Sequence, residues 1–149
     1  AAGEAGGRKV ELAELLRESD FVTLHTPLIP QTHNLIGRDE LAQMKPEAFL
    51  INAARGGLID EDALYDAITA DEIAGAGLDV LVDLDPPLDH RLIQLDNVIV
   101  TPHTAFFSQE AVLELEERAA AEVVRVFQGR MPDNLVNPAV LDNARMKLA

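Results

Sequence analysis

Arg55 stands by itself in the run Ile51-Asn52-Ala53-Ala54-Arg55-Gly56-Gly57-Leu58-Ile59-Asp60, with small residues before it and two glycines after it. A lone guanidinium in that setting has one obvious chemistry, because its planar fork of donors matches the two oxygens of a carboxylate. The plainer alternative is a surface arginine beside a flexible turn. Four histidines (His25, His33, His90 and His103) are the side chains that ordinarily titrate near neutrality. No pair of them has metal-ligand spacing on one helix face. The chain has no cysteine, which removes thiolate metal sites and disulfides together. Acidic side chains gather at Asp79, Asp83, Asp85 and Asp89, ahead of His103.

Such groups need a rigid frame. The apolar run Ala48-Phe49-Leu50-Ile51 predicts a short buried strand over 48–53. A helix comes next over about 60–70, with Asp60, Glu61 and Asp62 in a first turn that favours negative charge. In a parallel α/β sheet ligands sit just beyond the carboxyl ends of the strands, which is where Arg55 falls. The same alternation runs along the chain. Val10 to Arg17 reads as a short amphipathic helix, Asp20 to His25 as a strand stopped by Thr26-Pro27, and Asp39 to Met44 as a helix ending before Pro46. A strand over about 75–81 leads into a loop holding Pro86 and Pro87, and Val98-Ile99-Val100 is a strand ending at Thr101-Pro102-His103. A long helix starts at Ser108, a good N-cap, and stops at Gly129, a good C-cap; Val112, Leu115, Ala119, Val123, Val126 and Phe127 keep helical spacing.

Strands alternating with helices imply βαβ units and a parallel sheet. No strand leads into a glycine-rich phosphate fingerprint, and Gly3, Gly6 and Gly7 have no strand before them. Four strands would leave an edge bare. The expected class is therefore α/β, the second half of a Rossmann-type doubly wound parallel sheet with flanking helices. Residues 1–149 form a partial domain: a loop or frayed end over about 1–9, βα units over about 10–130, and a connector over about 131–149 with a short helix near Leu141.

The chain is long enough for one core of ordinary size. Its 12 basic and 26 acidic side chains give a formal charge of −14, a field that repels nucleic acid and anionic membrane. A small anionic substrate is compatible with it, since one local arginine outweighs a distant field that salt screens. No apolar run approaches the roughly 18 residues of a membrane span, and Ala1 to Gly7 lacks the regions of a signal peptide. These features predict a soluble, cytoplasmic protein.

Residues 15–28, from Leu15-Leu16-Arg17 through Phe21-Val22-Thr23-Leu24-His25-Thr26-Pro27-Leu28, resemble the second signature of the D-isomer-specific 2-hydroxyacid dehydrogenases, and Thr32, Leu35, Ile36 and Gly37 keep its spacing. INAARGGLID at 51–60 resembles the third signature, and GAGLDV at 75–80 with TPHTA at 101–105 completes an ordered set. The likeness runs from about Val10 to Asn137. The stretch from Phe106 to Asp133 is similar to the branch holding the C-terminal-binding-protein co-repressors, with phosphoglycerate dehydrogenases the neighbouring possibility.

The resemblance implies NAD(H) in a cleft between a cofactor domain and a substrate domain, a small 2-hydroxy or 2-keto acid as substrate, and a homodimer. It implies Arg55 as the anchor of the substrate carboxylate and His103 as general acid in reduction and base in oxidation. The family places a glutamate five residues after the aspartate of GLDV, immediately before a proline, to hold the histidinium. Here that position is Leu84, and the carboxylate before the proline is Asp85, one place late and one methylene shorter. Asp85 is the assigned partner of His103, with Asp83 as the alternative; the third possibility is that Asp83, Asp85 and Asp89 form a solvated acidic loop in which neither Asp83 nor Asp85 replaces the usual glutamate. Around the cofactor the resemblance places Thr26, Ala53, Ala54, Arg55, His103, Thr104, Ala105 and Phe106, with Asp79 accepting from the nicotinamide carboxamide. His25 closes a strand near the site; His33 and His90, in polar loops, are given no specific task. The alternative function is a dinucleotide-sensing, co-repressor-like interaction protein with little turnover.

Overall fold

The computed structural model describes residues 6–143. The expected frayed end at 1–5 and the last of the connector, 144–149, lie outside them. Two compact units divide the chain, one through Ala105 and one from Phe106 onward.

The first unit runs α1 (Leu12–Glu18), β1 (Phe21–Leu24), α2 (Arg38–Leu41), β2 (Phe49–Asn52), α3 (Glu61–Thr69), β3 (Gly75–Leu78) and β4 (Val98–Val100), with a 3-10 turn at Gly56–Leu58. The strands lie in the order β1-β2-β3-β4, every pair parallel, as the alternation predicts. Alternate strand residues point to opposite faces. Val22, Leu24, Leu50, Ala76, Leu78 and Val98 form one core cluster with Leu16 of α1, Leu41 of α2 and Leu64 and Ile68 of α3. The opposite face carries Phe21, Phe49 and Ile99, all exposed, with the Phe21 and Phe49 rings stacked 5.7 Å apart. Parallel strands are ordinarily apolar on both faces because both are covered.

Element ends differ from expectation for local reasons. β3 stops at Leu78: the Asp79 N–H makes the last bond to β2, on Asn52 O (2.9 Å), the Asp79 carbonyl accepts from the His103 N–H (2.9 Å), and Val80 and Leu81 are buried beyond the strand. α2 is shorter than the expected 39–44: Glu40 Oε2 accepts the Gly37 N–H (3.1 Å), and Gln43 and Met44 bond one residue short of helical spacing. Asp60 is the N-cap of α3 rather than a first-turn residue, its carboxylate accepting from the N–H groups of Asp62 and Ala63, each at 3.1 Å.

The second unit is α4 (Gln109–Phe127) and a 3-10 turn at Pro138–Asn143, where the sequence suggests a short helix. Ser108 caps α4 through Oγ, which accepts the Ala111 N–H at 3.0 Å. Gly129, at φ +74, comes after the C-cap residue Gln128 and reverses the chain. Glu122 then accepts from the N–H groups of Asp133 (3.0 Å) and Asn134 (3.1 Å), tying the connector back to the helix. Hydrogen bonds to Asn134, outweighing desolvation, lower the Glu122 carboxyl from its ordinary value. Among the described residues no helix is long and apolar enough to cross a membrane.

Candidate active site

Asn52 ends β2 and shapes the loop beyond it. Fully buried, it donates through Nδ2 to Arg55 O (2.8 Å) and accepts the Ala54 N–H on Oδ1 (3.0 Å). A buried amide that satisfies two backbone groups in this way fixes the loop conformation rather than merely filling space. The loop leaves Ala53 exposed, Ala54 half-buried and Arg55 exposed, the Arg55 guanidinium resting on Ala54 O at 2.6 Å. Gly56 then packs directly on another segment: a methyl group there would collide with the carbonyl of Leu81 and the nitrogen of Val82. The segment carrying Arg55 and the segment entering the acidic loop are thus in backbone contact.

Asp79 sits just after β3 and is 6% exposed. Its Oδ1 accepts from Thr101 Oγ1 (2.5 Å) and the Thr104 N–H (2.8 Å), its Oδ2 from the Ala105 N–H (2.9 Å), and its carbonyl from the His103 N–H (2.9 Å). Burial alone would raise this carboxyl. The hydrogen bonds from Thr101, Ala105 and Thr104, together with the field of His103, outweigh it and hold the group below its ordinary value. The turn so held puts His103 at φ +53, in the left-handed region. Asp79 therefore organises the histidine's turn, a task beyond the cofactor contact expected of it.

The sheet register relates the two chief side chains. Asn52 pairs with Leu78 and Leu78 with Val100, and Arg55 comes after Asn52 at the same remove as His103 after Val100. Both lie beyond the carboxyl edge of one parallel sheet, on strands separated by β3, or about 10 Å at the usual strand spacing. Beside His103 is a cavity of about 300 Å³, lined by Asp79, Asp83, Leu84, Asp85, Leu88 and Ile93 among others. Asp85 is exposed, with its N–H on Asp83 Oδ1 (3.0 Å). Asp83 and Asp85 thus share one cavity with His103.

At the end of β1, Thr26 Oγ1 is buried without a hydrogen-bond partner among the described residues. Thr32 Oγ1 holds the loop beyond it, accepting from Ile29 N (2.9 Å) and donating to Pro27 O (2.7 Å). His25 Nε2 lies 3.0 Å from Thr23 Oγ1. Phe106 falls in the second unit, edge-on to Phe107 with centroids 6.2 Å apart. Sequence reasoning misses Asn52, the contact at Gly56, and the pairing of His90 with Glu61. His90 Nε2 is 3.7 Å from Glu61 Oε2, with both side chains about four-fifths buried. Only the acidic helix start hints at Glu61.

Residues 1–105 match the family model described as D-isomer specific 2-hydroxyacid dehydrogenase, NAD binding domain. The chain is 44% identical over 127 residues to a D-3-phosphoglycerate dehydrogenase of Methanocaldococcus jannaschii, covering 85% of this chain and 24% of that protein. It is 43% identical over 138 residues to a glyoxylate reductase of Korarchaeum cryptofilum, covering 93% and 42%. Among structures, a D-isomer specific 2-hydroxyacid dehydrogenase from Lactobacillus delbrueckii ssp. bulgaricus in its NAD-complexed form superposes with a TM-score of 0.80 at 36% identity, covering 86% of this chain and 43% of that one. The chain spans less than half the length of each of these relatives.

Proposed function

The chain belongs to the D-isomer-specific 2-hydroxyacid dehydrogenase family, and on that premise we propose that the intact protein is an NAD-dependent oxidoreductase interconverting a D-2-hydroxy acid and its 2-keto acid. Residues 1–149 would form the second half of its cofactor domain, leading through about 131–149 towards a substrate domain. Bound NAD(H) supplies the hydride in reduction and takes it back in oxidation. Arg55 binds the substrate carboxylate with paired hydrogen bonds and polarises the neighbouring carbonyl. His103 gives its proton to the carbonyl oxygen in reduction and recovers it in oxidation. Asp85, with Asp83 as the alternative, lines the cavity that His103 lines and orients the imidazole.

The observation that carries this reading is the matched register of Arg55 and His103 beyond β2 and β4 of one sheet. A carboxylate and its adjacent carbonyl need both groups at the same rim, where side chains from strands about 10 Å apart can converge. The cofactor assignment has its own support. Thr26 Oγ1 is a buried hydroxyl in want of a partner among the described residues, and Ala53 and Ala54 leave room for a ring to approach. Among the described residues Asp79 Oδ2 accepts the Ala105 N–H, and a carboxylate oxygen has a second lone pair for a carboxamide. Thr104, Ala105 and Phe106 continue from the histidine's turn. Self-association through the cofactor domain goes with the same reading and is tested by sizing the intact protein in solution.

The deciding experiment monitors NADH oxidation by the intact protein across a panel of 2-keto acids that includes glyoxylate and hydroxypyruvate. Turnover is expected with at least one. His103→Ala should lower kcat by about 10²–10⁴ while leaving NADH affinity nearly unchanged. NADH binding with no turnover of any keto acid would transfer the assignment to the dinucleotide-sensing interaction protein.

A further inference from the structure

The start of α3 carries a half-buried polar cluster that the proposed chemistry does not use. Glu61 Oε1 accepts the Val82 N–H at 2.6 Å, and Glu61 Oε2 lies 3.7 Å from His90 Nε2. Val82 opens the acidic loop and His90 closes it, so one carboxylate touches both stems. Beside it, Asp62 pairs with the Arg91 guanidinium, which also lies over the Tyr65 ring at 4.8 Å, and Leu92 is fully buried. An acid in the first turn of a helix is common because it complements the helix dipole. Such an acid ordinarily faces water, whereas the Glu61 side chain is 18% exposed and committed to two partners.

Between its stems the loop is internally tied. Asp83 Oδ1 holds the Asp85 N–H (3.0 Å), Pro87 O accepts from His90 N (2.9 Å), and Leu88 O accepts from Gln94 Nε2 (2.7 Å). Residues 82–85 and 87–89 are exposed, so packing does little to place them. A loop stiff within and loosely packed without is placed by its anchors. Its Asp83, Leu84, Asp85 and Leu88 line the cavity that Asp79 and His103 line from the sheet.

We propose that Glu61 is a positioning residue: through Val82 and His90 it holds the acidic loop so that Asp83 and Asp85 face the cavity of His103. The proposal rests on the dehydrogenase reading and adds to it a residue that never touches substrate. Among the described residues, the charged groups that line the cavity with His103 include Asp79 from the end of β3 and Asp83 and Asp85 from the loop.

The test compares Glu61→Ala and Glu61→Gln in the intact protein, measuring keto-acid reduction and amide exchange of 82–90. Glu61→Ala should lower kcat about tenfold, with KM for NADH within about twofold, as expected for a small misplacement beside the reacting atoms. It should also speed exchange in the loop. Glu61→Gln keeps an acceptor for the Val82 N–H and should recover kcat to within about threefold of wild type. Wild-type kcat and wild-type loop exchange in Glu61→Ala would overturn the proposal. So would equal impairment of both variants with unchanged loop exchange. A wild-type protein that turns over no keto acid would instead overturn the dehydrogenase reading, and the clamp's catalytic role with it.

Discussion

His103 at φ +53 occupies a backbone region that costs a side-chain-bearing residue about 1–2 kcal/mol. It stays there because Asp79 overdetermines the turn, with one carbonyl and two carboxylate oxygens accepting from Thr101, His103, Thr104 and Ala105. Asp79→Asn keeps the shape of the side chain but turns one acceptor into a donor, facing an N–H that then has no partner. The variant should lose about 1–3 kcal/mol of stability at neutral pH, the cost of a buried unsatisfied group, as read by denaturant titration. The lowered carboxyl sets the sign with pH. Its contribution is complete above the ordinary value of about 3.9 and disappears as pH falls through the lower folded value. The gap between wild type and Asp79→Asn should therefore close in that acid range. A gap independent of pH would mean that Asp79 is not the turn's charged anchor. That Asp79 is a candidate site residue was legible only through the resemblance. Its partners, 22 to 26 residues further along, were not, because nothing local says which strand end comes alongside.

At the scale of elements, the strands were readable because each is a short run of apolar or small residues bounded by residues that break pairing; α2 and α3 account for the parallel order of β1, β2 and β3, whereas β3 and β4 are parallel with a loop and no helix between them. Less readable was how β2 and β3 hand over to their loops. Gly56 and Gly57 look alike in the sequence, a pair of breakers after an arginine, but they meet different neighbours. A methyl at Gly56 strikes the backbone of Leu81 and Val82, whereas one at Gly57 meets the flexible end of Leu28 at 3.2 Å. Gly56→Ala must move backbone, so it should cost about 1–3 kcal/mol, the range for overpacking. It should also raise KM for the keto acid, since Arg55 is the preceding residue. Gly57→Ala asks only a leucine to give way and should cost clearly less. Thermal melts and KM values for the pair decide this, and equal losses would contradict the packing of the Arg55 segment on Val82. The one-faced core has a similar lesson. Alternating burial in β1 (exposed Phe21 and Thr23, buried Val22 and Leu24) leaves an apolar surface that a reading of continuous buried strands does not anticipate.

Over the whole 149 residues, the carboxyl ends of the strands offer a guanidinium, an imidazole, a buried hydroxyl and a carboxylate, but no glycine-rich nest among the described residues. Dinucleotide phosphates are ordinarily held by backbone N–H groups of such a nest at a helix N-terminus. Here β1 runs into Thr26-Pro27, β2 into Ala53-Ala54-Arg55, β3 into Asp79 and β4 into Thr101-Pro102-His103. None of these presents a tight glycine turn leading directly into a helix. The −14 charge works in the same direction, since a dinucleotide approaching these residues alone meets a repulsive field. What remains is recognition of the nicotinamide end, a few hydrogen bonds and a modest apolar contact. The 149 residues by themselves should therefore bind NAD(H) no more tightly than about 1 mM, equivalent to about 4 kcal/mol, and added salt should weaken the repulsion rather than the binding. Isothermal titration at low and moderate ionic strength measures both. Micromolar binding by this chain alone would show that its four strand ends cradle the phosphates in some other way, and the division of labour proposed for the cofactor domain would have to be redrawn.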